Sequence, residues 1–211
     1  MIPQYGISLV LLTAGDQSAL FLLYDALLSV LVPAVDEAAR EEAKTTGFDG
    51  SFASPASTCA GASGGVACTN ATFKLDADSL VLTSLSRNGS DILKAFATIW
   101  AVTVGSFIPP LDNLPLRVFP TEIPGTPARL ADGRSVVLED WRLWWGVSIE
   151  GDTELPVKGH QSSDCLLWAF ADWLYYAGEP IDRVVFVRDA ATGAVLGVEV
   201  PFLRSGFLAR G

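Results

Sequence analysis

The sequence predicts a mainly β fold, an antiparallel β-barrel preceded by one strand and one helix. Roughly eight to ten short apolar segments, separated by Gly, Pro, Asn and Asp, follow a single helical pattern. Half of the 211 residues are apolar and 18% are charged, which is ample for one core. We therefore expect two parts: residues 1–46, a strand and helix that pack on the barrel, and residues 47–211, the β-barrel domain.

The N-terminal part reads as a buried strand followed by a long helix. Residues 5–14 form one apolar run before a Gly-Asp break. Asp16 or Ser18 can cap the helix, which runs to about Lys44. Its first half is apolar nearly all round and is expected to be buried, and Pro33 should kink or interrupt it.

The remaining segments read as short strands of a closed or nearly closed barrel, a shape that can hold one small ligand. Asp132-Gly133 is a strong hairpin signal, and Ser90 can cap a short helix or turn from Asp91 to about Trp100. Proline confines one strand to an edge, and the segment 165–176 is also compatible with a helix. The predicted strands cover residues 48–53, 69–75, 80–86, 116–120, 128–131, 135–138, 141–149, 165–176, 184–188 and 195–200.

Charge and composition exclude several classes of function. The net charge is −10 and the basic residues are scattered, so neither nucleic acid nor an anionic membrane is an expected partner. His160 is the only histidine, which makes a zinc site improbable, and we expect no metal or other cofactor. Cys59 and Cys68 are close enough in sequence to close a small disulfide loop, although the sequence leaves their redox state open.

No segment predicts a membrane span. The apolar run 19–32 is shorter than the roughly 20 residues that cross a bilayer, and no basic residue precedes it as in an ordinary secretion signal. We therefore expect an intracellular protein. The sequons that begin at Asn70 and Asn88 would matter only in a secretory compartment.

Hydrolase motifs are missing from the sequence. No serine lies three residues before a lysine, the spacing of a β-lactamase nucleophile, since Ser90 and Lys94 are four apart. A Ser-His-Asp triad would have to use His160, which lies in a polar stretch and reads more simply as a solvated loop residue.

Two aromatic stretches contain the candidate site residues. In a strand, Arg142 and Trp144 share one face, where they can bind an oxyanion or phenolate, or where Arg142 simply pairs with a carboxylate. Asp172 lies among aromatics on the strand predicted over 165–176, where burial would raise its pKa and make it an acid or hydrogen-bond donor. The alternative is a carboxylate that simply pairs with backbone amides or with an arginine. The candidate catalytic residues are Asp172, Tyr176 and Arg142, and the candidate substrate-binding residues are Trp141, Trp144, Trp168, Phe170, Trp173 and Tyr175.

The order of features resembles the C-terminal part of fungal β-lactamase-like proteins. Residues 5–16 resemble the closing strand of the hydrolase domain, residues 31–40 a linker helix, and residues 48–52 the opening strand of a lipocalin-like barrel. The region from Cys165 to Gly178 resembles a late strand, and residues 198–204 resemble the last one. The hydrolase domain itself is absent from the chain, so hydrolase activity is not implied.

Stand-alone barrels of similar size and architecture include the hetero-Diels–Alderases of fungal tropolone–sesquiterpenoid biosynthesis. That resemblance implies a cofactor-independent cyclase that acts on hydrophobic small molecules, with dehydration to a quinone methide as one accessible step. Two alternatives stay open: a non-catalytic barrel that binds a hydrophobic metabolite, and a remnant C-terminal domain of a β-lactamase-like protein. The sequence does not reveal the oligomeric state.

Overall fold

The computed structural model describes residues 10, 18–59, 68–76, 80–104, 115–121, 123–145, 172 and 174–211. The chain divides into two compact units, residues 1–46 and residues 47–211. The strand predicted over residues 5–14 lies outside the described residues except at Val10.

The described part of the first unit is one helix, α1, Ser18–Thr46. Pro33 lies inside this helix, so the predicted interruption is wrong. Proline removes a single backbone hydrogen bond, and the turns on either side keep theirs.

The apolar first half of α1 is exposed in the structure, whereas the sequence predicts its burial; packing of this part on the barrel stays a prediction. Leu22 is 73% exposed and Val30 is 70% exposed. A single helix cannot cover an apolar surface that extends all round it, because burial requires a second element. Among the described residues, no helix is both long enough and apolar enough to cross a membrane.

The described part of the second unit contains twelve strands, which pair in antiparallel fashion. Two α-helices interrupt them, α2, Ala56–Cys59, and α3, Ile92–Val104, and a short 3-10 helix spans Pro201–Leu203. The strands are β1 Gly50–Ala53, β2 Thr69–Leu75, β3 Leu80–Arg87, β4 Ser90–Asp91, β5 Leu116–Pro120, β6 Thr126–Arg129, β7 Ser135–Trp145, β8 Tyr175–Tyr176, β9 Glu179–Pro180, β10 Arg183–Asp189, β11 Val195–Glu199 and β12 Leu208–Arg210.

Eight of these strands close into an antiparallel barrel, which confirms the predicted fold class. The order is β10-β11-β12-β1-β2-β3-β5-β7, and β7 pairs with β10 to complete the circle. In that closing pair, Val184 lies opposite Trp141 and Arg183 lies opposite Arg142. Closure removes free sheet edges from these strands.

Strand β12 is the one barrel strand that the sequence pattern missed. It has three residues and lies between β11 and β1, with Ala209 opposite both Gly197 and Ala53. A segment of three residues is too short to show the alternation that predicts strands.

Three local predictions differ from the structure in instructive ways. β7 is one continuous strand, because β6 pairs with its first half and β5 with its second. β5 is not an edge strand, and Pro120 is its last residue, where the missing amide is least disruptive. Helix α3 begins after Asp91, whose Oδ1 accepts the amide of Lys94 at 3.1 Å, so Asp91 rather than Ser90 acts as the cap.

The hairpin predicted at Asp132-Gly133 is confirmed, and a second hairpin joins β10 to β11. Gly133 adopts φ 89° in the turn between β6 and β7, a conformation that favours glycine, and Asp132 Oδ1 accepts the amide of Arg134 at 3.0 Å. Between β10 and β11, Asp189 Oδ1 accepts the amides of Ala191 and Thr192 at 2.9 and 2.8 Å. These bonds lower the pKa of Asp189, since they favour its charged form.

A disulfide joins Cys59 at the end of α2 to Cys68 just before β2. The structure thereby resolves the redox state that the sequence left open.

Candidate functional site

The structure brings two of the three candidate catalytic residues together. Arg142 on β7 pairs with Asp172, with Nη2 lying 3.1 Å from Oδ1 and 3.3 Å from Oδ2. The Arg142 side chain is 18% exposed and that of Asp172 is 43% exposed. Arg142 is therefore held in the wall of the barrel, while the Asp172 side chain is partly exposed although its Oδ1 is buried.

Asp172 does not lie in the predicted strand. Its φ is 57°, a left-handed value that extended strands exclude and that aspartate tolerates better than most residues. The strand β8 begins only at Tyr175. The turn at Asp172 aims its backbone amide at a second carboxylate, and this contact would be impossible on a flat strand face.

That second carboxylate is Asp182, which the sequence analysis did not select. Asp182 is 3% exposed, and its Oδ2 accepts the amide of Asp172 at 3.2 Å. Its backbone oxygen accepts the amide of Leu143 at 2.7 Å, which ties it to β7. The only signal in the sequence is an aspartate placed directly before β10, two residues ahead of its buried apolar run.

We call Arg142, Asp172 and Asp182 the Arg142 cluster. Burial raises the pKa of Asp182, and the negative charge of Asp172 raises it further. The hydrogen bond from the Asp172 amide and the positive charge of Arg142 oppose that shift. The cluster therefore contains one carboxylate paired with a cation and one held toward its neutral form.

Three buried polar atoms of the cluster have no hydrogen-bond partner within the described ranges. They are Nη1 of Arg142, Oδ1 of Asp172, which keeps its ion-pair contact with Arg142, and Oδ1 of Asp182. Buried polar atoms normally have a hydrogen-bond partner, and leaving such an atom without one costs about 1–3 kcal/mol. The cluster thus has spare hydrogen-bonding capacity on both its cationic and its acidic sides.

Trp141, a candidate substrate-binding residue, lies inside the barrel. Its ring centroid is 4.7 Å from that of Phe48 and 5.2 Å from that of Phe186. Phe73 lies 5.2 Å and Phe52 lies 6.3 Å from Phe186. We call these five side chains the ring cluster.

The ring cluster fills its part of the barrel interior with protein. Phe52 and Phe73 are each 1% exposed and Phe186 is completely buried. Aromatic rings at these distances attract each other, and this interaction adds to the stabilisation that burial of their apolar surface provides. In this section of the barrel, Trp141 therefore acts as a core residue, and its buried Nε1 lacks a partner among the described residues.

Tyr175 and Tyr176 lie on the two-stranded sheet formed by β8 and β9. Tyr175 is 61% exposed and Tyr176 is 62% exposed, and both lie in strand β8, opposite Pro180 and Glu179. Neither tyrosine has a recorded hydrogen bond to the Arg142 cluster in the described part of the chain.

The other candidate binding residues are placed less completely. Trp144 lies opposite Arg117 in the pairing of β5 with β7, and its side chain is not described. Trp168, Phe170 and Trp173 lie outside the described residues. Their proposed role in binding stays a prediction.

A second set of charged residues lies on strands β7 and β10. Arg183 Nε contacts Asp140 Oδ1 at 2.6 Å, and Arg188 Nη1 contacts Glu139 Oε1 at 2.7 Å. These pairs cross from β10 to β7 at the closing seam of the barrel. The charged residues next to Arg142 in the sequence therefore form structural arginine–carboxylate pairs.

Within the ranges that the structure describes, there is no group of three histidine, cysteine, aspartate or glutamate side chains able to hold a metal ion.

Comparison with known proteins gives two related matches. Residues 39–210 match the family described as "Beta-lactamase-like-like, C-terminal domain". A "Beta-lactamase-like protein" of Arthroderma benhamiae is 37% identical to the chain over 214 residues. This alignment covers 99% of the chain but 35% of the relative, so the chain spans about a third of the relative's length. No solved structure matches the chain significantly.

Proposed function

Because the chain belongs to the family of C-terminal domains of β-lactamase-like proteins, we propose that it is an accessory barrel. In this role it binds a β-lactamase-like domain and stabilises it, and it catalyses no reaction of its own. The observation that carries the proposal is the alignment of nearly the whole chain with about a third of a longer relative.

The packing of the barrel supports an accessory role. The ring cluster fills the interior section around Phe186 with side chains in mutual contact. A barrel that carries a ligand needs an open interior, whereas a structural barrel is filled by its own side chains. The sequence also contains no serine three residues before a lysine.

Co-expression tests this function directly. The part of the Arthroderma relative outside the matched third is produced alone, with this chain, and with its Phe186→Ala variant. We expect the two chains to co-purify and the folded yield of the relative's part to rise with the wild-type chain only. The variant is the matched control, because it disrupts the core of the barrel and leaves its charged surface unchanged. Independent elution of the two wild-type chains would contradict the proposal.

One observation favours a second function. In the Arg142 cluster, a half-exposed carboxylate is fixed beside a cation and backed by a buried acid. That arrangement suits a cofactor-independent cyclase that first forms a quinone methide. Asp172 would take the phenolic proton while the C–O bond of a neighbouring hydroxyl breaks. The hydroxyl would leave as water with a proton from Tyr176, and a hetero-Diels–Alder addition would follow.

Deletion of the gene tests this second function. If the barrel is a cyclase, metabolite profiling by chiral chromatography and mass spectrometry will show a stalled precursor or an adduct that has lost enantiomeric excess. Re-introduction of Asp172→Asn or Tyr176→Phe will then fail to restore the product, whereas Tyr175→Phe will restore it. An unchanged profile would remove the cyclase function.

A further inference from the structure

The turn between β3 and β4 presents an asparagine at its tip. Asn88 is exposed and adopts φ 50°, and Gly89 follows with φ 79°. Asn88, Gly89 and Ser90 form the acceptor sequence Asn-x-Ser of N-linked glycosylation. Ser90, the third residue of this sequence, is also exposed.

Asn88 is tied to the disulfide through two hydrogen bonds. The amide of Asn88 donates to the carbonyl of Cys68 at 2.8 Å, and the amide of Cys68 donates to Asn88 Oδ1 at 2.9 Å. Cys68 is itself bonded to Cys59. These two bonds use the backbone amide and Oδ1 of Asn88 and do not involve Nδ2, the atom that carries an N-linked glycan.

The disulfide is the second, independent observation. Disulfides form and persist in oxidising compartments and are rare in the cytosol. The bond between Cys59 and Cys68 therefore favours the secretory pathway over the intracellular location expected from the sequence. That pathway is also where sequons are read.

We propose that Asn88 carries an N-linked glycan, added in the oxidising secretory compartment in which the Cys59–Cys68 disulfide forms. The donor is an oligosaccharide attached to a lipid diphosphate. A bond forms between Asn88 Nδ2 and the anomeric carbon of the sugar, the bond from that carbon to the diphosphate breaks, and Nδ2 loses one proton. The product is still an amide, so Oδ1 continues to accept the bond from Cys68.

The second sequon differs in its surroundings. Asn70 lies within β2, where it is opposite Ala53 of β1 and Ser86 of β3. Its third residue, Thr72, has its hydroxyl 3.2 Å from that of Ser51. Asn70 is also exposed, but its backbone is held in a strand paired on both sides and Thr72 is half-buried, whereas Asn88 and Ser90 are both exposed at a turn. The proposal therefore places the glycan at Asn88.

Glycopeptide mass spectrometry on protein isolated from its natural host tests the proposal. Arg87 and Lys94 flank the site, so trypsin releases residues 88–94, a peptide that contains one asparagine. We expect this peptide to carry hexose and N-acetylhexosamine in the wild type and in Ser90→Thr, and to lose both sugars in Ser90→Ala.

The serine variants separate glycosylation from other events. Ser90→Ala keeps Asn88 and its two bonds to Cys68, so the loss of sugar cannot be ascribed to a broken turn. It also keeps the Asn-Gly pair, so spontaneous deamidation would persist in it. A sugar-free wild-type peptide, a glycan at Asn70 alone, or a reduced Cys59–Cys68 pair would each overturn the proposal.

Discussion

The backbone amide of Asp172 donates a hydrogen bond to Oδ2 of Asp182 at 3.2 Å. This bond joins the backbone of a partly exposed aspartate to a buried carboxylate, and Arg142 balances the charge of the first aspartate. The two aspartates are ten residues apart in sequence and meet because Asp172 turns in a left-handed conformation. Their different surroundings give them different responses to mutation.

The stability of the barrel should depend on pH through Asp182. Burial raises the pKa of this carboxyl above its ordinary value of 3.8, so the folded state holds its proton when the unfolded state has released it. The free energy of unfolding should therefore fall as the pH rises from 3.8 through the raised pKa. Asp182→Asn removes this pH-dependent fall in the free energy of unfolding. Urea titrations should therefore show the variant gaining stability relative to the wild type as the pH rises over the same range.

Asp189 provides a control of opposite sign. Hydrogen bonds from the Thr192 and Ala191 amides lower its pKa below 3.8. The stability that Asp189 contributes is present above pH 3.8 and is lost as the pH falls through the lowered pKa. Asp189→Asn should therefore be less stable than the wild type at neutral pH and approach it in acid. If the stability difference from the wild type changed with pH in the same direction in both variants, the opposite pKa shifts of Asp182 and Asp189 would be contradicted.

Arg142 and Asp172 should differ in how much they contribute to the stability of the barrel. Asp172→Asn removes a half-exposed charge, and pairs of that kind contribute about 0.2–1 kcal/mol. Arg142→Gln removes the cation that faces two carboxylates, so it should destabilise the barrel more and raise the pKa of Asp182 further. Equal unfolding free energies for the two variants would show that Arg142 contributes nothing beyond its pair with Asp172.

Phe186 should be a principal determinant of stability. It is completely buried and contacts four aromatic rings, and truncation of such a residue costs about 3–5 kcal/mol. Tyr176→Ala removes a ring that is 62% exposed and should change stability by no more than about 0.5 kcal/mol. Denaturant unfolding of both variants checks the contrast, and a small loss in Phe186→Ala would indicate an unfilled interior.

The disulfide should stabilise the second unit by restricting the unfolded chain. The bond spans a sequence separation of nine residues, and removal of a native disulfide typically costs about 2–4 kcal/mol. Serine at both Cys59 and Cys68 should lower the free energy of unfolding by that amount. Reductant should bring the wild type to the level of the variant and leave the variant itself unchanged.

The fold was more predictable from sequence than the site. Alternating apolar strands and turn signals such as Asp132-Gly133 act locally, so they reveal most of the barrel strands and the hairpin joining β6 to β7. β12 is too short to carry such a pattern, and burial of α1 depends on a second element that a local pattern cannot supply.

The Arg142 cluster depends on tertiary structure. Arg142 was found because it lies in an unusual aromatic stretch, whereas Asp182 looks like any acidic residue before a strand. Its burial becomes visible only when β10 pairs with β7 and the turn at Asp172 adds its amide. The charged residues among aromatics in the sequence therefore indicate Arg142 and Asp172 but not Asp182.

The most direct test of the accessory role is a domain exchange in the Arthroderma relative. The third of it that matches this chain is replaced by this chain, and the thermal unfolding of the remainder is compared with that of a truncated version from which the matching third is deleted. We predict that the exchanged protein unfolds at a higher temperature than the truncated one, and that Phe186→Ala in the exchanged barrel removes the gain. Equal unfolding temperatures for the exchanged and truncated proteins would contradict the accessory function.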